Sequence, residues 1–227
     1  MNSKLNYLEF ENFNADSSNF IKNQINLLLN KKNQINIALS GGSTPLPVLS
    51  NLKENKIEWN RINFFLVDER NYPNDNKNSN FFNLKNSFFK HIQSKSYQVY
   101  NPKLTVEQTA KSYQDLIIKK IPINNNKPQF DLIILGLGYD GHTASLFPNS
   151  KGLNNSSSLF IPNYINKLKQ WKFTMTFSII NNSKKIILLV NDFKRKTLIL
   201  EKINDDMPIN KVITQSENLT ILFSKNL

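Results

Sequence analysis

Phe130-Asp131-Leu132-Ile133-Ile134-Leu135 runs straight into Gly136-Leu137-Gly138-Tyr139-Asp140-Gly141-His142-Thr143-Ala144-Ser145-Leu146-Phe147-Pro148, and this passage decides how the whole chain is read. The first segment is apolar but for Asp131. That is the pattern of a strand covered on both faces, as in a parallel sheet flanked by helices. The second is a glycine-punctuated loop with a carboxylate two residues before an imidazole. Ligands of α/β sheets gather beyond the carboxyl ends of the strands, so a loop of this composition is a candidate site. It is not a dinucleotide fingerprint, because its third Gly comes one residue too early for Gly-x-Gly-x-x-Gly.

Outward from this passage, apolar runs at 35–39, 62–67, 97–100, 172–177, 186–190 and 219–223 read as further strands. Helical patterns lie between them. Phe20, Ile21, Ile25, Leu28 and Leu29 recur at helical spacing, with Asp16 and Ser17 as candidate caps. Thr105-Val106-Glu107-Gln108 has the form of a capping box before a stripe of Tyr113, Leu116 and Ile117. Residues 194–203 read as another helix, and 124–127 as a polar loop. Helices alternating with apolar strands predict a three-layer α/β/α, Rossmann-like fold with a mainly parallel sheet. With no repeat or linker, one domain is expected over 1–227.

Composition narrows the classes. At 227 residues, 39% hydrophobic and 11% aromatic, the chain can bury a large core and is not a disordered polymer. It has no Cys, which excludes disulfides, thiolate metal sites and a cysteine nucleophile. The net charge of +12 comes from Lys spread through the chain, without the dense basic run of a nucleic-acid groove. It favours an anionic small substrate instead. No apolar run approaches a membrane span and no secretory leader is visible, so a cytoplasmic protein that binds neither nucleic acid nor membrane is expected. Asn makes up about one residue in six, Lys, Ile and Phe are abundant, and Gly, His and Arg are scarce. AT-rich codons give this bias, an inference that the codon usage of neighbouring genes would test. Under such drift the surviving glycines, histidines and arginines mark positions where chemistry needs them.

Three clusters at strand ends hold most of these survivors. Ser40-Gly41-Gly42-Ser43-Thr44-Pro45 leads from a strand into an expected helix. Its glycines are expected to adopt positive φ and let a ligand approach, Ser43 or Thr44 to cap the helix, and the helix N-terminus to hold phosphate. It is not a Walker loop, lacking Gly-Lys-Ser/Thr. Asp68-Glu69-Arg70 offers an exposed acidic pair for water or sugar hydroxyls, and a guanidinium fork for an anion. In the third cluster Asp140 can orient His142, the natural general base near neutral pH. His91 reads as an ordinary structural residue.

Taken together, SGGSTP, VDER, Ser79-Asn80-Phe81 and FDLIILGLGYDGHTASLFP resemble the 6-phosphogluconolactonase family, in the family's order and at similar spacing from about Ile35 to Phe223. Glucosamine-6-phosphate deaminases share the first loop and a Gly-x-Asp-Gly-His element, but continue Ile-Ala-Phe-Asn-Glu-Pro where this chain reads Thr143-Ala144-Ser145-Leu146-Phe147-Pro148. The resemblance implies hydrolysis of 6-phosphoglucono-1,5-lactone without metal or organic cofactor; a monomer or weak homodimer is expected. The alternatives are an amino-sugar phosphate deaminase or isomerase of the same fold, or a non-catalytic sugar-phosphate binder. The resemblance implies that His142 is the general base with Asp140 supporting it, and that Arg70 serves the oxyanion or the phosphate. Gly41, Gly42, Ser43, Thr44, Asp68 and Glu69 are expected around the substrate. Lys172 stands where the family's Pro-x-x-Arg-Ile-Thr-Leu-Thr has Arg, keeping the charge but losing the fork. Asn191-Asp192-Phe193-Lys194 replaces Gly-x-x-Lys, so that Asn191 must take over the turn and Lys194 is the expected phosphate ligand.

Overall fold

The computed structural model describes residues 6–201 and 206–225. In chain order its elements are β1 (Tyr7–Phe10), α1 (Phe13–Leu29), β2 (Ile35–Leu39), α2 (Pro45–Leu52), β3 (Ile62–Leu66), β4 (Asp68–Arg70), α3 (Asn80–Ser87), β5 (Lys95–Ser96), α4 (Val106–Lys120), β6 (Ile123–Asn124), β7 (Lys127–Pro128), β8 (Leu132–Gly136), β9 (Phe160–Ile165), β10 (Gln170–Met175), α5 (Phe177–Ile180), β11 (Ile186–Val190), α6 (Phe193–Leu200), α7 (Pro208–Gln215) and β12 (Leu219–Ser224).

Seven strands form a wholly parallel sheet in the order β1-β12-β11-β8-β2-β3-β5, flanked by helices. Every residue of β2, β3 and β11 is buried, which is why these strands are mostly apolar rather than alternating; the two exceptions, Asn36 and Asn63, pair with each other, Asn63 Nδ2 donating to Asn36 Oδ1 (3.0 Å). Asp131, fully buried just before β8, accepts from Asn36 N–H (2.9 Å) and from Lys32 Nζ (2.6 Å), so its charge is paired where the sheet begins.

From β2 the chain winds outward through β3 to β5, then returns to place β8 on the other side of β2 and winds the opposite way through β11 and β12. The loops leaving β2 and β8 therefore part in opposite directions, and this switch point is where an α/β sheet opens a crevice. A second, antiparallel sheet of β4, β10 and β9 lies beside it, joined by Met175 N–H donating to Val67 O (2.8 Å).

Several local expectations change. The run 172–177 becomes β10, which ends at Met175 and belongs to the antiparallel sheet; periodicity identifies a strand but not its partner. Residues 97–100 form no strand. The ladder with β3 is made by Lys95–Ser96, and Tyr97 N–H adds one last bond to Phe64 O. Residues 124–127 are the tip of a tight β6–β7 hairpin, with Asn125 and Asn126 both left-handed at φ 51° and 61°, as a two-residue primed turn demands. Helix α1 starts earlier than expected, so Asp16 does not cap it; its carboxylate instead accepts from Asn12 N–H within the first turn. The Thr105 capping box forms in full. Helix α6 spans Phe193–Leu200, and the expected end at 203 lies outside the described residues. Strands β1 and β9 have no counterpart in the sequence reading. Among the described residues, no helix is long and apolar enough to cross a membrane.

Candidate active site

A cleft of about 270 Å³ opens at the switch point between β2 and β8. The β2 loop supplies Ser40, Gly42, Ser43 and Thr44; the β8 loop supplies Gly138, Tyr139, His142 and Ala144; the antiparallel sheet supplies Asp68, Arg70 and Lys172. Asn80 and Arg195 complete the polar lining.

His142 and Asp140 meet as their spacing suggested. His142 Nδ1 lies 2.5 Å from Asp140 Oδ1, and His142 N–H points at the same oxygen from 3.3 Å. The imidazole stacks on Phe147, with centroids 3.8 Å apart and planes 17° apart. Gly138 makes room for the ring, since a Cβ there would fall 2.1 Å from Nδ1. The bond from His142 holds the Asp140 carboxyl below its usual range, against a smaller opposing effect of burial. The loop is bent by Gly141 at φ +77° and by Ala144, left-handed at φ 53° on the cleft wall. A non-glycine residue in that conformation is uncommon.

Pairing of β4 with β10 explains what happens to Asp68-Glu69-Arg70. Arg70 lies opposite Lys172 and Asp68 opposite Thr174, so these side chains share the cleft face, while Glu69 points the other way. The expected exposed acidic pair is thus corrected. Asp68 is buried at the cleft and its Oδ2 accepts from Ser145 Oγ (2.7 Å). Glu69 is fully buried and does not line the cleft. It accepts from the N–H groups of Arg70 (2.7 Å), Asn80 (2.6 Å) and Phe81 (2.8 Å) and from Ser79 Oγ (3.0 Å). Burial pushes its carboxyl up to about 7, although all four bonds favour the ionised form.

Lys172 is only 8% exposed, and its ammonium sits 5.2 Å from the Phe147 ring centre. Burial lowers its proton affinity from the usual lysine range, with Asp68 opposing and Arg70 reinforcing. Arg70 also donates to Asn78 O (2.9 Å).

The first loop departs from expectation in its backbone. Neither Gly41 nor Gly42 has positive φ. Gly41 is needed for close packing, since a Cβ would meet Asn80 Cβ at 2.8 Å, whereas Gly42 faces open cleft. Thr44 takes the N-cap place of α2 without capping it through its side chain. Its hydroxyl donates to Asn191 Oδ1 (2.9 Å) and accepts from Arg195 Nη1 (2.9 Å). Asn191 is not left-handed; it contributes that acceptor instead.

Arg195 is the charged cleft residue that the sequence reading missed. Its guanidinium reaches the cleft, donates to Leu137 O (3.1 Å), pairs with Asp192 and stacks 4.4 Å from the Tyr139 ring centre. Lys194, expected at the phosphate, is exposed and lies over Tyr139 at 5.6 Å, outside the cleft lining. The scarcity of arginine was the available signal: Arg61, Arg70 and Arg195 are the three in the chain, and two of them line this cleft. His91 lies on the surface beside Asn86 O, away from the cleft.

A doubly wound parallel sheet with a His–carboxylate pair and three cationic side chains at its switch point defines an α/β enzyme site suited to a small anionic substrate. The sequence comparison is more particular: the chain belongs to the family of glucosamine-6-phosphate isomerases and 6-phosphogluconolactonases, whose model matches residues 10–221. It is 34% identical over 205 residues to a 6-phosphogluconolactonase of Thermotoga maritima, covering 89% of this chain and 90% of the relative. A 6-phosphogluconolactonase of Chlamydia pneumoniae is 32% identical over 77% of this chain and 67% of its own length. The crystal structure of the Thermotoga maritima enzyme superposes with a TM-score of 0.84 at 31% identity, covering 97% of this chain and 99% of that one. A 6-phosphogluconolactonase structure from Shewanella baltica, at 24% identity and a TM-score of 0.87, shares the fold over 99% of both chains.

Proposed function

We propose that this protein hydrolyses 6-phosphoglucono-1,5-lactone to 6-phosphogluconate, and that His142 is its general base. The observation that carries the reading is the His142–Asp140 pair facing a cleft with three cationic side chains, in a chain whose relatives carry that activity by name. With Nδ1 engaged by Asp140, Nε2 is the nitrogen available to the substrate. It takes a proton from a water as that water's oxygen bonds to the lactone carbonyl carbon. The resulting oxyanion needs a donor, the role proposed for Arg70. When the carbon–ring oxygen bond breaks, His142 returns the proton to the departing oxygen, leaving an open chain with a carboxylic acid that then ionises. Asp140 keeps the ring in one tautomer and stabilises the imidazolium, while Phe147 fixes the ring plane.

Arg195, Lys172 and the polar groups of Ser43 and Thr44 are proposed to hold the phosphate, with Lys194 drawing it in from the rim. Such an enzyme needs a small-molecule substrate alone, and a cytoplasmic monomer or weak homodimer fits this reading. Purified protein should accelerate loss of freshly made 6-phosphogluconolactone above its spontaneous opening and release no ammonia from glucosamine 6-phosphate. Ammonia release with no effect on the lactone would replace the lactonase by a deaminase.

A further inference from the structure

Two oxygens in the cleft wall have no task in this chemistry. Asn80 is 2% exposed and Ser40 6% exposed, and both line the cleft. Neither Asn80 Oδ1 nor Ser40 Oγ has a hydrogen-bond partner among the described residues. An unpaired buried polar atom is costly, so a wall that keeps two of them suits a ligand that pairs them.

The way Asn80 is held points the same way. Its Nδ2 donates to Asp68 O (3.0 Å), which sets the amide's orientation and leaves Oδ1 as the end without a partner. Its N–H is one of the four donors gathered by buried Glu69, which thereby anchors the start of α3. Across the gap, Gly41 approaches so closely that a single methyl would collide with Asn80 Cβ. Glu69 and Gly41, expected to touch substrate, are better explained as residues that seat Asn80.

We propose that Asn80 determines specificity by accepting, through Oδ1, a hydrogen bond from a hydroxyl of the sugar chain. An amide oxygen can only accept. It cannot pair with phosphate or carbonyl oxygens, which are acceptors too, so it reads the polyol part of the substrate. Ser40 Oγ, which can donate and accept, serves a neighbouring polar group. The inference rests on the lactonase reading.

The test compares wild type and Asn80→Ala on 6-phosphogluconolactone and on its 2-deoxy, 3-deoxy and 4-deoxy counterparts. Removing the amide should lower kcat/KM on the parent about tenfold or more, the scale of one lost hydrogen bond. One deoxy lactone should be poor for wild type by a similar factor, and Asn80→Ala should lose little further on it. Ser79→Ala, which loosens the same clamp from outside the cleft lining, should show the same selective loss in milder form. Should Asn80→Ala not fold, Gly41→Ala displaces the amide and must show the same selective loss. A folded Asn80→Ala that loses equally on all four lactones overturns the inference alone, as does a wild type that does not discriminate among them. A wild type that turns over none of them removes the lactonase reading as well.

Discussion

Replacing Gly138 with Ala isolates the placement of the His142 ring. Gly138 is not in the left-handed region, so its backbone accepts an L side chain without strain, and the whole effect is steric. The new Cβ would lie 2.1 Å from both Nδ1 and Cε1 and 2.8 Å from Cγ of His142. Ordinary contact begins near 3.4 Å, so the imidazole must move by more than about 1 Å. That breaks the bond to Asp140 and disturbs the stack on Phe147. A displacement of this size costs about a hundredfold in rate, and complete loss of a general base up to about ten-thousandfold.

Stability should change far less. A charge-assisted hydrogen bond contributes about 1.5–3 kcal/mol, the lower end applying to this half-exposed pair, and Gly→Ala returns about 0.4–1 kcal/mol through the unfolded chain. The net loss of about 1 kcal/mol corresponds to a fall in Tm of about 2–4 °C for a chain of this size. Lactone hydrolysis, coupled to a dehydrogenase that consumes 6-phosphogluconate, reads the rate, and calorimetry reads Tm. Gly42→Ala is the internal contrast: the nearest atom to its Cβ is Pro45 Cδ at 3.9 Å, so Tm should hold and any effect should fall on KM. A folded Gly138→Ala with near-wild-type kcat would refute the claim that this ring, in this position, performs the chemistry.

Three further outcomes are expected. Because burial lowers the proton affinity of Lys172, the affinity for 6-phosphogluconate should fall as pH rises through a value below the usual 10.5, and Lys172→Arg should abolish that alkaline fall in a calorimetric titration. Arg195→Met should raise KM at least tenfold, whereas Lys194→Gln, removing a rim charge, should raise it by a few-fold at most and less at high salt. Asp140→Asn should fold and lose kcat by tenfold or more. Because the Asp140 carboxyl is held below its ordinary 3.8, its contribution to stability is present above that value and lost as pH falls beneath it, so the Tm gap between wild type and variant should close in acid.

The parallel sheet was legible in the sequence because its strands are buried on both faces and their apolar runs are long and little interrupted, as in β8 and β11. The His142–Asp140 pair was legible because the two residues lie two positions apart in sequence and meet within one loop. What escaped depends on pairing between distant segments. Glu69 looked exposed until β4 was seen to pair with β10 and alternation turned it away from Arg70. Lys194 and Arg195 are neighbours in sequence, and only the start of α6 against Thr44 decides which of them enters the cleft. The Gly41 requirement is likewise invisible locally, since it arises from Asn80 on α3.

The most direct measurement is the kcat of wild type and His142→Ala on freshly prepared 6-phosphogluconolactone, with the spontaneous opening of the lactone subtracted. Wild type should turn over well above background, and His142→Ala should retain its Tm within a few degrees while losing at least about a hundredfold in kcat. Wild-type turnover no faster than background, or a folded His142→Ala that matches wild type, would contradict the assignment of this cleft as a histidine-driven lactonase.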